Sequence, residues 1–425
     1  MSSLLIEGGV PLHGEITASG NKNAVLPMIA ASILTDQEVV LTNVPLIRDV
    51  IHMLDIYEHL GVDFTLEGNT LRVRASDIRT HEINHDLTRR IRTSFLFAAP
   101  LLHRCGVAKL SPPGGDVIGR RRLDAHFYGL SKLGATVDPE AMHFKAERRL
   151  HGADLFFDEA SVTATEHLMM AAVLAEGTTI IRNAASEPHV QDLAHMLNSM
   201  GADIEGINTN TLTIHGVDYL TGTEHRVASD HIEVGSYLAL AAATGGSITI
   251  HDTTRSHYWM MNRVFERFGL ELRYTRDSVH LPAGQTPHIK MDTGGAIPRI
   301  DDGPWPQFPT DMMSPMIVLA TQTEGVVLFF EKMFESRMFF TDTLAQMGAN
   351  IIVCDPHRIV VSGKSQLKAL PVRSPDIRAG MALLMAALCA KGKSTVHNAE
   401  IIDRGYDKID DKLRVLGAKL QRTDD

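Results

Sequence analysis

Apolar positions along the chain follow a pattern that returns after roughly seventy residues, which indicates an internal repeat. Each copy contains a segment with apolar side chains on one helical face, such as Met53, Ile56 and Leu60 in the first copy. A glycine follows the last apolar residue and supplies the left-handed position that ends a helix. The pattern predicts six amphipathic helices that end at Leu60-Gly61, Leu133-Gly134, Met200-Gly201, Phe268-Gly269, Met347-Gly348 and Leu416-Gly417.

Two other elements accompany these helices. After five of the six glycines come short alternating stretches, such as residues 70–73 (TLRV) and 211–214 (TLTI), which predict half-buried strands. The sixth copy runs into the C-terminus, so we expect its partner strands to come from the chain start. A second helix, rich in Ala, Leu and Met, precedes a brief strand in residues 171–183 and 386–398. Its apolar surface runs nearly all round, so we expect it to be buried.

The repeats predict an α/β fold of two similar domains. Each domain would contain three repeated strand-helix units with buried helices and outward-facing sheets, which is an inside-out α/β barrel. A solenoid is the alternative, but its repeats are usually about 20 to 50 residues long. We assign residues 1–20 and 231–425 to domain I and residues 21–230 to domain II, which carries a mobile loop at about 112–124. Polar, turn-prone sequence near residues 20 and 230 suits a double crossover.

Composition restricts the possible partners. A net charge of −10 argues against general nucleic-acid binding, which needs basic surface. No apolar run is long enough to span a bilayer and no signal peptide is recognisable, so we expect no membrane association and a cytoplasmic location. Cys105, Cys354 and Cys389 lack disulfide or zinc-ligand spacing. We predict that they are reduced thiols in the core.

The segment at residues 113–126 (PGGDVIGRRRLDAH) carries the strongest chemical signal. Glycines flank a single carboxylate, Asp116, and three arginines follow it. Such a loop is able to close over a phosphate and bring an acid with it. The alternative is a flexible surface loop with solvated charges.

Charged and polar residues also stand at the starts of the predicted buried helices, where free backbone N–H groups favour anions. Each of them alone is more often a helix cap or a surface ion pair. Their recurrence at equivalent points of the repeat favours a functional role. They are Lys22 and Asn23, Arg92, Ser161, Asp311, and Asp376 with Arg378, and two strand-to-helix loops add Arg337 and residues 403–405 (DRG).

These residues lie in motifs through which nearly the whole chain resembles the enolpyruvyl transferases, and among them the bacterial UDP-N-acetylglucosamine 1-carboxyvinyltransferases. The motifs are residues 19–24 (SGNKNA), the loop at 113–126, 308–312 (FPTDM), 334–337 (FESR) and 402–406 (IDRGY). The resemblance implies two domains of three units each, joined by a double hinge that closes on substrate. It also implies transfer of the enolpyruvyl group of phosphoenolpyruvate to a hydroxyl of UDP-N-acetylglucosamine, without a metal or organic cofactor.

The resemblance assigns roles residue by residue. Phosphoenolpyruvate would bind to Lys22, Arg121 and Arg404, with Arg92 beside them, because arginine grips oxyanions in a bidentate manner. Asp311 would take the proton from the attacking hydroxyl, and Asp116, Lys22 and Arg404 would complete the catalytic set. The acceptor would contact Asn23, Arg92, Arg121, Asp124, His126, Ser161, Val162, Asp311 and Met333, and Asp49, Arg337, Asp376 and Arg378 would support the site.

Asp116 stands where most members of this family carry a cysteine that the epoxide fosfomycin alkylates. A carboxylic acid serves as a general acid only if burial or a like charge raises its pKa toward neutrality. We therefore expect loop closure to desolvate Asp116. We also expect insensitivity to fosfomycin, because a carboxylate is a poorer nucleophile than a thiolate.

Several positions depart from the family pattern and leave the acceptor open. The alternatives are another acceptor, such as a free nucleotide in secondary metabolism or shikimate 3-phosphate, and a non-catalytic paralogue that binds a nucleotide sugar. The departures are Glu159 for a lysine, Thr163 for a glycine, Arg122 for a proline and His231 for an arginine.

Overall fold

The structure is a computed structural model that describes residues 2–116 and 118–424. It divides into two compact units: unit 1 comprises residues 1–19, 116–120 and 229–425, and unit 2 comprises residues 20–115 and 121–228. The divisions near residues 20 and 229 lie at the predicted crossover. In contrast to our assignment of the whole loop to domain II, residues 116–120 group with unit 1. Val117, within that loop, lies outside the described residues.

The strands of the described residues form six sheets. Numbered along the chain, the strands are β1 (Ser2–Gly8), β2 (His13–Thr17), β3 (Val39–Thr42), β4 (Asp63–Glu67), β5 (Thr70–Arg74), β6 (Val107–Lys109), β7 (Thr136–Asp138), β8 (His143–Lys145), β9 (Asp154–Phe156), β10 (Thr178–Arg182), β11 (Asp203–Glu205), β12 (Thr211–His215), β13 (Thr223–Arg226), β14 (Ser247–His251), β15 (Arg273–Tyr274), β16 (Ser278–Leu281), β17 (Arg299–Asp301), β18 (Gly325–Phe330), β19 (Ile351–Asp355), β20 (Arg358–Gly363), β21 (Pro371–Arg373), β22 (Gly392–His397) and β23 (Lys419–Asp424). Unit 1 holds the sheets β21-β22-β1-β23, β15-β16-β14-β2 and β17-β18-β20-β19, and unit 2 holds the sheets β13-β3-β5-β4, β6-β8-β7 and β11-β12-β10-β9.

The helices alternate between an inner and an outer type. The α-helices are α1 (Lys22–Ser32), α2 (Arg48–Leu60), α3 (His85–Arg90), α4 (Ala98–Cys105), α5 (Asp124–Lys132), α6 (Val162–Ala172), α7 (Pro188–Ser199), α8 (His231–Thr244), α9 (Trp259–Arg267), α10 (Met313–Thr321), α11 (Thr341–Gln346), α12 (Ile377–Cys389) and α13 (Ile409–Val415). Short 3-10 helices span Arg92–Phe97, Arg255–His257, Thr293–Gly295, Thr310–Met312 and Ala399–Arg404.

Burial separates the two helix types as the repeat predicts. Helices α1, α6, α8, α10 and α12 are buried almost throughout, and α4 buries its first five residues. The outer helices α2, α7 and α9 bury only one face. Each of the six repeat glycines has a positive φ, between 70° and 99°, as a helix-ending glycine requires. Helices inside and sheets outside confirm the predicted fold class.

Each unit has its own hydrophobic core, since one cluster of buried residues runs from Ala24 to Val227 and the other draws on the rest of the chain. In unit 1, β1 lies between β22 and β23, so the chain start supplies a strand to the sixth repeat as predicted. Among the described residues, no helix combines the length and the apolar character that crossing a bilayer requires.

The prediction of core cysteines is wrong for two of the three residues. Cys105 and Cys354 are free and exposed, and Cys389 is free and half-buried. Cys105 is the last residue of α4, beyond the five residues that this helix buries. Cys354 lies in β19, an edge strand whose middle faces solvent. Hydropathy alone does not distinguish these positions from buried ones.

Candidate active site

In unit 1, Asp311 is held between two buried arginines. Its Oδ1 lies 2.9 Å from Arg337 Nη2, and its Oδ2 lies 2.8 Å from Arg378 Nη2. The arginine side chains are 3% and 4% exposed, whereas Asp311 is 23% exposed. Burial by itself lowers the pKa of Arg378, but the charges of Asp311, Tyr406 and Asp230 together outweigh burial and raise that pKa above its usual value. The carboxylate is therefore fixed in orientation and keeps one open side.

Local sequence explains how this cluster forms. Asp311 lies in the 3-10 turn before α10, and Arg378 lies in the first turn of α12, which packs against α10. The Arg337 guanidinium lies 5.4 Å from the ring centre of Phe334, and the Arg378 guanidinium lies 5.4 Å from that of Tyr406. These ring contacts stabilise the desolvated cations.

Asp376 begins α12 as its N-cap. Its Oδ1 accepts hydrogen bonds from the backbone N–H groups of Arg378 at 2.9 Å and Ala379 at 3.0 Å. Burial raises the pKa of Asp376, the hydrogen bond from Ala379 and the charge of Arg337 lower it, and the charge of Asp116 raises it further. The capping role of this carboxyl is thus established by geometry, and any role in chemistry is additional to it.

Asp116 forms an ion pair with Arg404. Asp116 Oδ1 and Arg404 Nη1 are 2.5 Å apart, and the two side chains are 17% and 19% exposed. Arg404 is the last residue of a 3-10 helix in unit 1. The backbone N–H of Arg120 donates to Glu335 Oε2 at 3.2 Å, and Ser336 N–H donates to the Ile118 carbonyl at 3.0 Å. These bonds hold the predicted loop against residues 335–336 of the same unit.

In unit 2, Lys22 opens the first buried helix. Its Nζ lies 2.8 Å from Asp49 Oδ2, and the side chains are 11% and 2% exposed. Asp49 lies in the first turn of α2, so the neighbouring helix fixes the ammonium group. The Asn21 side chain caps α1 by accepting from the N–H groups of Asn23 and Ala24, and it leaves the half-buried Asn23 side chain at the helix start.

Arg92 and Arg121 place two positive charges close together. Burial, and after it the charge of Arg121, lower the pKa of Arg92 to about 10, and the charge of Glu159 opposes both effects. Arg92 Nη2 also donates to the Arg122 carbonyl at 2.9 Å. Two guanidinium groups that repel each other favour an anion between them. Exposed Glu159 partly offsets this attraction.

Ser161 caps α6, because its Oγ accepts from Ala164 N–H at 3.4 Å and Val162 follows as the first helical residue. Both residues are half-buried, and Asp124 is exposed at the start of α5. The Met333 side chain is half-buried in unit 1, and its backbone N–H donates to Glu331 Oε1. The contacts of these residues with the acceptor stay predictions.

His126, whose contact with the acceptor stays a prediction, is a buried residue. His126 is 1% exposed, and its ring lies edge-on to Phe95, with 4.9 Å between ring centres. Burial lowers its pKa well below the usual value, and the charges of His167 and Arg92 lower it further. The sequence places this histidine beside the arginine loop, but the first turn of α5 directs its side chain into the core.

A chain of hydrogen bonds fixes the tautomers of the two histidines. The Ala99 N–H donates to His167 Nε2 at 3.1 Å, so the proton of neutral His167 lies on Nδ1. That proton faces His126 Nδ1 at 3.1 Å, which places the His126 proton on Nε2, 3.3 Å from Thr163 Oγ1. His126 therefore donates to Thr163 and positions this hydroxyl at the start of α6.

Sequence patterns missed several residues that support the site. Tyr406 closes the 402–406 motif, and its position after Arg404 was the available signal. Glu331 lies two residues before Met333 but has no local signature, because a lone glutamate after a strand is usually a surface residue. His167 lies on an apolar helix, where only its tertiary partners reveal its role.

Comparison with known proteins identifies relatives along nearly the whole chain. A family model described as EPSP synthase (3-phosphoshikimate 1-carboxyvinyltransferase) matches residues 6–413. A Borreliella burgdorferi protein named UDP-N-acetylglucosamine 1-carboxyvinyltransferase is 53% identical over 423 residues, which cover 99% of both chains. A protein of the same name from Bradyrhizobium diazoefficiens is 52% identical and covers 98% of this chain and 97% of its own length.

Solved structures share the architecture. The enolpyruvyl transferase NikO from Streptomyces tendae superposes with a TM-score of 0.88 at 23% identity, over 99% of both chains. EPSP synthase from Acinetobacter baumannii superposes with a TM-score of 0.76 at 16% identity, over 100% of both chains. At such low identities the likeness shows the fold alone.

Proposed function

Because the chain belongs to the EPSP synthase family of enolpyruvyl transferases, we propose that it transfers the enolpyruvyl group of phosphoenolpyruvate to the 3-hydroxyl of UDP-N-acetylglucosamine and releases phosphate. The observation that carries this conclusion is the 53% identity, over 99% of both chains, to a protein that bears the name of that activity. Such an enzyme would catalyse the first committed step of peptidoglycan precursor synthesis.

The cationic groups are assigned to the anionic substrate. We assign Lys22, Arg92, Arg121 and Arg404 to the phosphate and carboxylate of phosphoenolpyruvate. Arg92 and Arg121 repel each other, and a bound anion relieves that repulsion. Lys22 is oriented by Asp49, which keeps the ammonium group at the start of α1.

Asp311 is assigned as the base that takes the proton from the attacking hydroxyl. Its two oxygens each face a buried guanidinium, which supports an ionised carboxylate with one exposed side. In the addition step, C3 of phosphoenolpyruvate gains a proton while the acceptor oxygen forms a bond to C2. In the elimination step, C3 returns a proton, the bond from C2 to the phosphate oxygen breaks, and phosphate leaves.

Asp116 is assigned as a general acid of the reaction. Its partner Arg404 is also a proposed ligand of phosphoenolpyruvate, so the substrate anion competes with the carboxylate for the same guanidinium. Substrate binding would release Asp116 from its ion pair and leave a desolvated carboxyl group that is able to carry a proton. In this order of events, Asp116 becomes able to donate a proton only when the substrate is bound.

We place the reaction in the cytoplasm. The support is that Cys105 and Cys354 are exposed, unpaired thiols, which are typical of reducing compartments. The proposed substrates are polar and carry several negative charges. We assign protein side chains, and no metal or cofactor, to their binding.

Phosphate release with a panel of acceptors tests the proposal. We expect release to require both phosphoenolpyruvate and UDP-N-acetylglucosamine, with an enolpyruvyl product detected by mass spectrometry. The Arg404→Ala variant provides the background rate. Release that depends instead on shikimate 3-phosphate or on a free nucleotide would assign a different acceptor. Release no faster than that of the Arg404→Ala variant with every acceptor would favour a non-catalytic protein.

A further inference from the structure

Unit 1 buries a pair of carboxyl groups beside the Asp311 cluster. Asp302 directly follows β17, and Glu331 directly follows β18. These strands are parallel neighbours, with Asp301 opposite Phe330, so the two residues leave the sheet at the same edge. Both residues are 0% exposed. Two ionised carboxylates in such a place would repel each other and would lack water to solvate them.

The surroundings of the pair favour retention of one proton. Burial, and after it the proximity of Asp302, raise the pKa of Glu331, and a hydrogen bond between two carboxyl groups needs a proton on one of them. Lys332 N–H donates to Asp302 Oδ1 at 2.6 Å. Asp302 Oδ2 is buried without a donor among the described residues, so it is the atom left to accept the proton of Glu331. A proton on Glu331 that is donated to Asp302 Oδ2 would give this oxygen its missing hydrogen bond.

Glu331 connects the pair to both sides of the Asp311 cluster. Thr310, the residue before Asp311, donates its hydroxyl to Glu331 at 3.0 Å. The backbone N–H groups of Met333 and Phe334 donate to Glu331 Oε1 at 3.1 and 3.0 Å. Phe334 in turn lies against the Arg337 guanidinium, which pairs with Asp311 at 2.9 Å.

We propose that the Glu331–Asp302 pair, sharing one proton, is a positioning device that aligns Asp311 and Arg337 for the transfer reaction. This inference rests on the proposed function, because Asp311 is the base assigned above. Loss of the shared proton would leave two buried like charges, push residues 331–334 away from residue 302, and misalign Asp311. The singly protonated pair, which carries one negative charge, is thus the active form.

The charged groups around Glu331 set the direction of the pH effect. Burial, and after it the interaction with Asp302, raise the pKa of Glu331 to about 9, while the charge of Arg337 and the hydrogen bond from Thr310 oppose this rise. Two other groups are His357, whose ring Nδ1–H donates to the Glu331 carbonyl at 2.7 Å, and Lys332, whose ammonium pairs with Asp301. Alignment is therefore complete below about pH 9 and is lost as the pH rises through that value.

The test compares kcat from pH 6 to 10 for the wild type and for Glu331→Gln. The glutamine amide donates to Asp302 at every pH, so the variant mimics the protonated pair. We expect wild-type kcat to fall by about tenfold per pH unit above pH 9, with little change in the KM for phosphoenolpyruvate. We expect Glu331→Gln to keep kcat within about threefold at pH 7 and to lose this alkaline decline.

Asp302→Asn provides a second variant if Glu331→Gln folds poorly, because it also removes the like-charge partner and should also abolish the decline. Glu166→Gln is the matched control, since Glu166 is a buried carboxyl of unit 2 whose pKa is raised by burial and by Glu187. The control should keep the wild-type pH profile. A wild-type alkaline decline that persists in Glu331→Gln or in Asp302→Asn would overturn the positioning role.

The two proposals fail in different ways. The proposed function is judged by wild-type phosphate release with UDP-N-acetylglucosamine at pH 7. The positioning role is judged only by the change in the pH profile between variants, normalised to the rate of each at pH 7. Thermal melting of each variant at pH 7 and pH 9.5 separates misalignment from unfolding, since misalignment lowers kcat while the protein remains folded.

Discussion

Asp116 is the proposed proton donor, although Arg404 holds its carboxyl group in an ion pair. The two groups are 2.5 Å apart and mostly shielded from water, so the pair is stronger than a surface ion pair. In the proposed reaction, a competing anion on Arg404 would free the carboxyl. The choice between donor and ion-pair partner would then depend on substrate.

Replacing Asp116 by asparagine tests this assignment. The amide oxygen still accepts from Arg404, but the side chain has no proton to donate. We expect Asp116→Asn to lower kcat by about 10²–10⁴, with unchanged binding of UDP-N-acetylglucosamine in isothermal titration calorimetry. Near-normal turnover would show that another group supplies the proton.

The same residue predicts the response to fosfomycin. A carboxylate attacks an epoxide more slowly than a thiolate, so we expect no covalent adduct on the wild-type protein after incubation with the compound. Asp116→Cys is the matched control and should gain both a stoichiometric adduct by mass spectrometry and inhibition. An adduct mapped to Asp116 in the wild type would contradict the prediction.

At the scale of elements, the starts of the inner helices combine capping with the proposed chemistry. Asp376 combines both roles, because its carboxyl caps α12 through two backbone N–H groups and also contributes charge near Asp116 and Arg337. A loss of activity after substitution would not by itself separate the two roles.

Two substitutions at Asp376 distinguish them. Asparagine caps a helix as well as aspartate, whereas alanine does not, so we expect only Asp376→Ala to lose stability, by about 1 kcal/mol in urea unfolding. If the charge also serves the reaction, both variants should lose kcat by about 10²-fold. A fully active Asp376→Asn protein would reduce this residue to a cap.

The elements were predictable from sequence because their signals are local. Apolar periodicity and the glycine after Leu60 or Met200 depend on neighbours within a few positions, and these helices end at the predicted residues. The ion pairs of Asp311 and the burial of His126 were not predictable, because their partners lie far away along the chain. The resemblance named the residues of the candidate site, but only the folded structure shows which of them touch.

At the scale of the whole molecule, the two units have separate cores and differ in their buried titratable groups. Burial lowers the pKa of several histidines of unit 2, among them His103, His126 and His167. Burial lowers the pKa of His103 to about 4 and that of His167 to about 3, and His126 also lies well below its usual value. Unfolding restores ordinary pKa values, so the unfolded state of unit 2 binds more protons than the folded state at acidic pH.

The sign of the effect follows from this difference. The stability that neutral burial provides is present above about pH 6.5, and it falls by about 1.4 kcal/mol per histidine for each pH unit below that value. Because the cores are separate, we expect calorimetry to show two unfolding transitions, with a van't Hoff enthalpy below the calorimetric enthalpy. Lowering the pH from 7 to 5 should move the transition of unit 2 to lower temperature more than that of unit 1.

Core substitutions assign the two transitions independently of pH. Leu101 lies in the core of unit 2 and Leu319 in the core of unit 1, and each is 0% exposed. Each leucine-to-alanine substitution, Leu101→Ala or Leu319→Ala, should therefore lower the free energy of unfolding of its own unit by about 2–5 kcal/mol and shift only that unit's transition. His103→Gln should then reduce the acid sensitivity of the transition that Leu101→Ala shifts, since glutamine donates to the Ala171 carbonyl as His103 does at 2.8 Å without gaining a proton. A single transition that both leucine variants shift equally would mean that the two cores unfold as one cooperative unit, and the acid sensitivity would then belong to the whole chain.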